Sequence, residues 1–191
     1  MGQTLLEGFK KFKTEAYDGD CSLMDALVKN GQDPEYFMIS CVDSRGNPGT
    51  IFRPEPGTFF AHKAMGAIVR PYKQGTALAA ALHFALTYNK VKTIIVLGHT
   101  QCGAVEALVN DLQDEEISSF VDVAQKSIRS TPRKTEEQIV LHSAENLLGY
   151  PSVAKALEED RVKILPWLFD LEAGEILEFK SETEQFEVVS E

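Results

Sequence analysis

Apolar residues recur along this chain with two different periods, and the alternation of the two predicts its elements. Leu5, Phe9 and Phe12 fall at helical spacing with Lys10, Lys11 and Lys13 on the outside, which predicts an arm helix over residues 5–17. Asp18-Gly19-Asp20 breaks it, and Leu23–Asn30 reads as a second short helix stopped by Gly31. Short apolar runs of strand length follow at 36–40, 58–61, 93–97 and 162–169. The first lies between Asp33-Pro34 and Asp43-Ser44-Arg45-Gly46, both breakers. Helical patterns at 75–88, 104–111, 118–127, 136–148 and 152–159 intervene. Strand-length and helix-length segments in this order predict an α/β fold, a mostly parallel sheet wrapped by helices, with an N-terminal helical arm. Beyond it, Glu175-Ile-Leu-Glu-Phe and Gln185-Phe-Glu-Val-Val alternate with period two and predict one or two exposed or interface strands. The segments 46–49, 72–74 and 111–116 read as turns or solvated loops.

The run Ile94-Ile-Val-Leu-Gly98 stops just before His99, and Cys102 follows two residues on, before a helix begins. Both side chains therefore stand at the end of a buried strand, where chemistry in open α/β sheets is found. Imidazole and thiolate are donors that Zn²⁺ prefers, yet two cannot hold it. Cys41 ends the first strand as His99 ends the third. Parallel strands would bring all three together as a two-Cys, one-His site with a fourth position open, the mark of a catalytic zinc. Asp43 and Arg45, at i, i+2 just past Cys41, can form a charge-assisted pair beside it.

Composition narrows the function classes. With 191 residues, 43% of them hydrophobic, the chain can bury a core as one domain: an arm over 1–30, a core over 31–174 and a C-terminal strand or tail over 175–191. Nineteen Lys and Arg against 29 Asp and Glu give a net charge of -10, which argues against nucleic acid or an anionic membrane as partner. No stretch approaches the ~18 apolar residues of a membrane span, and the start lacks the pattern of a secretory leader, so a cytoplasmic location is expected. Three cysteines, an odd number at wide spacing, suit metal binding or catalysis better than a disulfide framework. Cys21, with no His, Cys or carboxylate pair at ligand spacing, is expected to be packed or inert. His62, His83 and His142 are expected to be ordinary structural or surface histidines.

Cys41-Val42-Asp43-Ser44-Arg45, followed by Gly98-His99-Thr100-Gln101-Cys102-Gly103, resembles the β-class carbonic anhydrases, whose signature is Cys-x-Asp-x-Arg and later His-x-x-Cys. Gly31-Gln32-Asp33-Pro34, Pro56-Gly57, the Gly-Ala-rich helix from Gly75 and Trp167-Leu168-Phe169-Asp170 extend the resemblance over roughly residues 31–174. It implies that Cys41, His99 and Cys102 are zinc ligands, one ion per chain, that Asp43 accepts a hydrogen bond from water at the metal, and that Arg45 is its ion-pair partner. It places Gln32 and Phe60 where plant-type members line the substrate pocket, and Gly103 where a backbone N–H faces an anion such as bicarbonate. It also implies a homodimer or higher homo-oligomer, the arm packing on the partner.

The departures fall around the pocket. Lys63-Ala64-Met65-Gly66-Ala67 stands where the family usually shows Arg-Asn-x-x-Asn, and lysine keeps the charge without the planar fork. Met65 reshapes a wall that carries valine or isoleucine elsewhere, and Phe84 replaces a frequent tyrosine and its hydroxyl. No ligand is lost. The expected activity is reversible hydration of carbon dioxide to bicarbonate. Hydrolysis of carbon disulfide or carbonyl sulfide on the same zinc, or a non-catalytic zinc protein, are the alternatives.

Overall fold

The computed structural model describes residues 2–19 and 22–189, so Cys21 lies outside the described residues. Six strands form one sheet in the order β2-β1-β3-β4-β5-β6. These are β1 (Tyr36–Cys41), β2 (Phe59–Ala64), β3 (Thr93–His99), β4 (Lys163–Asp170), β5 (Glu175–Lys180) and β6 (Gln185–Val188). The first four run parallel, as expected, and β5 and β6 add antiparallel, so the alternating tail continues the main sheet rather than forming a separate unit. Central β3 is buried at every position, which is why its sequence is a continuous apolar run without alternation.

Register places the chemistry. Cys41 pairs with Ala64, Ser40 with Leu97 and His99 with Phe169, so Cys41 and His99 end neighbouring parallel strands at one edge of the sheet. One face packs Phe37, Ile39, Ile94 and Val96 against Leu82 and Leu86 of α4 (Thr76–Thr87), and Val140 and Leu147 of α7 (Pro132–Leu147). Each such fully buried side chain contributes roughly 1.5–3 kcal/mol. The other face carries Met38, Ile95 and Leu97 against Phe52, Trp167 and Phe169. Gly98 lets α7 approach closely, because a Cβ there would run into the Val140 side chain.

Several boundaries differ from expectation. β2 runs on to Ala64, through His62 and Lys63, because an edge strand tolerates polar residues on its open side. The helix expected from 136 begins at Pro132, where Thr131 Oγ1 accepts the Lys134 N–H at 3.2 Å and proline occupies the first turn. The helix expected over 118–127 is α6 (Glu115–Val121), capped by Asp114, followed by a tighter 3₁₀ turn over Asp122–Ser127. Asn47 caps the expected turn at 46–49 into one helical turn, α3 (Pro48–Ile51). The remaining helices are α1 (Gly2–Tyr17), α2 (Leu23–Asn30), α5 (Gly103–Val109) and α8 (Pro151–Glu158). α1 leaves Leu5 80%, Leu6 61% and Phe9 57% exposed, an apolar face its own chain does not cover.

Candidate metal centre

β1 delivers Cys41, β3 delivers His99, and Cys102 stands at the N-cap of α5. All three are buried, and their ligand-type atoms lie within 4.8 Å of one another, the two sulfurs 3.9 Å apart. Among the described residues this is the single group of three such side chains at ligating distance. His99 Nδ1 lies 2.9 Å from the Thr100 carbonyl, which can only accept, so Nδ1 carries the proton and Nε2 presents a lone pair. That Nε2 is buried with no hydrogen-bond partner. A buried imidazole lone pair facing two sulfurs is unsatisfied by protein alone and fits a cation with borderline-soft preferences, which for this donor set is zinc.

The electrostatics agree. Cys41 is held well below the ordinary thiol range, first by the hydrogen bond from Cys102, then by His99 and by the N–H groups of Asp43 and Gly66 at 3.4 and 3.3 Å. Cys102 is pushed up by its hydrogen bond to Cys41, by burial and by the charge on Cys41. Burial opposes charging His99, yet the Cys41 sulfur, the Thr100 carbonyl and Asp43 outweigh it and move its value upward. The pocket pulls on positive charge.

Asp43 stands beside this cluster with Oδ2 3.8 Å from His99 Nε2. Arg45 grips it three times: its backbone N–H and Nε donate to Oδ1 at 2.8 and 3.1 Å, and Nη2 donates to Oδ2 at 2.8 Å. These bonds hold the Asp43 carboxyl far below the usual carboxylate range, so it stays ionised and acceptor-only. Arg45 Nη2 also donates to the Gln101 carbonyl at 3.1 Å.

The pocket residues divide. Met65 packs against the buried group that includes Cys41, Ile68 and Cys102, and Gly103 opens α5 with free space where a side chain would be. Gln32, Phe60 and Phe84 are not brought to the cluster within this chain. Phe60 pairs with Phe37, four rungs before the Cys41–Ala64 pair, or about 13 Å along the strand. It packs on Phe37 and Phe84, while Phe84, 48% exposed, stacks on Tyr88. Gln32 is exposed before the start of β1. His142 is satisfied by Ser127 Oγ at 2.6 Å, and His62 and His83 stand on β2 and α4 outside the cluster, as expected.

Pattern reading missed three supports. Thr100 fixes the His99 tautomer through its carbonyl, Gly66 reaches Cys41 with its N–H from a left-handed backbone at φ 64, and Glu136 of α7, buried, accepts the Cys102 N–H at 3.2 Å. Burial pushes the Glu136 carboxyl up. The glycine after Met65 was the sole local signal for any of them.

A carbonic anhydrase family model matches residues 36–176. A carbonic anhydrase of Synechocystis is 31% identical, covering 93% of this chain and 70% of its own length. Carbonic anhydrase 1 of Escherichia coli O157:H7 is 30% identical over 95% of this chain and 90% of its own. The solved β-carbonic anhydrase CcaA shares 26% identity with a TM-score of 0.88, covering 98% of both chains. At 14% identity and a TM-score of 0.55, a carbon disulfide hydrolase shares the fold across 100% of this chain and 99% of its own. The family match spans more than half of the 191 residues and includes the Cys-His-Cys cluster, so the chain belongs to the β-carbonic anhydrase family.

Proposed function

We propose that this protein catalyses the reversible hydration of carbon dioxide to bicarbonate and a proton, with one zinc per chain held by Cys41, His99 and Cys102. The zinc would supply Lewis acidity, making a water molecule nucleophilic at a pH of about 7. Asp43, ionised and gripped by Arg45, accepts a hydrogen bond from that water and orients its lone pair toward the substrate carbon. Met65 gives the apolar carbon dioxide a dry wall, and the N–H of Gly103 faces the product anion. The observation that carries this reading is the Arg45-restrained carboxylate 3.8 Å from an unpartnered ligand nitrogen. Elemental analysis together with rapid-mixing carbon dioxide hydration tests it, with carbon disulfide and carbonyl sulfide assayed in parallel. Zinc without carbon dioxide hydration would leave the sulfur substrates or a non-catalytic role.

The assembly proposed is a homodimer or higher homo-oligomer. Its support is the exposed apolar face of α1 and the exposed Phe84 and Tyr88 on α4. A second copy is also the route by which Gln32, Phe60 and Phe84 can line a pocket, since their own chain holds them away from the cluster. No described helix is long and apolar enough to cross a membrane. A cytoplasmic location is proposed because a reducing compartment keeps Cys41 and Cys102 available as thiolate ligands.

A further inference from the structure

Gln101, between the ligands His99 and Cys102, has no part in the reading above, yet its backbone is held at φ 55, in the left-handed region. A residue with a Cβ is uncommon there and persists only where its surroundings enforce it. Here they do so from every side. Before it, the Thr100 N–H donates to the Phe169 carbonyl at 3.0 Å and Thr100 Oγ1 accepts the Leu171 N–H at 2.9 Å, which fixes that residue to the end of β4. After it, Cys102 is tied to Glu136. Its own side chain is clamped, Nε2 donating to Glu172 Oε1 at 2.6 Å in the turn between β4 and β5.

This conformation directs one group outward with a purpose. The Gln101 carbonyl accepts from Arg45 Nη2 at 3.1 Å, a contact between residues 56 positions apart. Arg45 is half exposed, and its grip on Asp43 is local, two residues away, so by itself it leaves the pair free to pivot as a unit. The Gln101 carbonyl is the contact that ties the pair to the loop carrying two of the three ligands.

We propose that Gln101 is a positioning residue: its left-handed backbone, clamped by Glu172, aims its carbonyl at Arg45 and holds the Asp43–Arg45 pair in register with the ligand cluster. The inference rests on the zinc hydratase reading of that cluster. Glycine reaches the left-handed region freely and a β-branched valine resists it, so the backbone role separates the two substitutions.

The test uses the full chain, zinc-loaded and cobalt-loaded, as wild type, Gln101→Gly, Gln101→Val and Glu172→Ala. One metal per chain is expected throughout. Gln101→Val should lower kcat about tenfold with KM little changed, and Gln101→Gly should stay within about threefold of wild type. In the cobalt series, the visible spectrum of Gln101→Val should lose its response to added azide as Asp43 turns toward the metal, while Gln101→Gly, which reaches the left-handed region freely but lacks the clamp on Glu172, should keep a weakened response. Glu172→Ala, at the surface, guards against a valine variant that does not fold, and should show a weakened azide response. Wild-type kcat and azide response in the valine variant, or in Glu172→Ala where the valine variant does not fold, would overturn the proposal. So would equal losses in the glycine and valine variants. A zinc-loaded wild type that fails to hydrate carbon dioxide sinks the functional reading instead, and the azide response then decides on Gln101 alone.

Discussion

Gly98 of β3 and Val140 of α7 touch with no room between them for one added methyl group. The contact sits one residue before His99 and one helical turn past Glu136, so it sets the distance at which α7 reaches the ligand loop. Gly98→Ala should destabilise the fold by about 1–3 kcal/mol, as overpacking does, and loosen the Glu136–Cys102 bond with it. Adding Val140→Ala should recover most of the loss. Urea midpoints of the three proteins check this, and a double variant no more stable than Gly98→Ala would move the cost elsewhere.

Cys41→Ser, His99→Ala and Cys102→Ser should each lose at least about 100-fold in zinc affinity, since each removes one of three converging donors. Zinc content after dialysis against a chelator measures it. Full zinc in Cys102→Ser would remove that residue from the site.

Arg45→Ala should keep its zinc and lose hydration on the order of 100-fold, because Asp43 loses two side-chain donors and can swing toward the metal. Paired zinc and rapid-mixing measurements at mildly alkaline pH decide. Full zinc with full rate would show that Asp43 needs no restraint.

A chain starting at Gly19 lacks the α1 face that carries Leu5, Phe9 and Phe12. It should sediment as a smaller species than the whole protein at equal concentration. An unchanged, well-folded oligomer would assign the assembly to other surfaces.

Asp170, at the start of the turn that carries Glu172, gives a pH prediction that does not involve the three ligands. Its Oδ1 accepts the N–H groups of Glu172 and Ala173 at 3.0 and 3.1 Å, and Oδ2 accepts from Arg133 at 2.8 Å. The Ala173 bond first, and Arg133 after it, lower its value in the fold below that of the unfolded chain. The folded state therefore binds fewer protons, and the stabilisation is complete above about pH 4 and lost as pH falls through the folded value. Asp170→Asn should cost roughly 1 kcal/mol at neutral pH and flatten the acid limb of stability. Parallel acid limbs for variant and wild type would point to another carboxylate.

Cys41 and His99 were legible because each ends an apolar strand, visible as the point where a β-branched run meets a polar residue, and Cys102 because it follows His99 at ligand spacing before a helix. Asp43 and Arg45 were legible because their contact is local, two residues apart. Glu136 was not, since its partner Cys102 lies 34 residues away and nothing in Thr135-Glu136-Glu137 marks which carboxylate turns inward. The reach of Phe60 failed for a related reason: motif position gives the strand, and strand register alone gives the rung. Thr131-Pro132 was a readable helix start that the apolar period, beginning at Ile139, did not include.

Cys41 and Cys102 stand 61 positions apart in sequence and 3.9 Å apart in space. An ion shared between them is therefore also a cross-link that closes a long loop containing α3, β2, α4 and β3, and by loop-closure entropy such a tie is worth about 4 kcal/mol against the unfolded chain. Stripping the metal would thus loosen more than the chemistry. Because no local segment contains all three donors, the chain acquires its ion only after β1 and β3 have paired, and metal content becomes a record of how many molecules have finished folding.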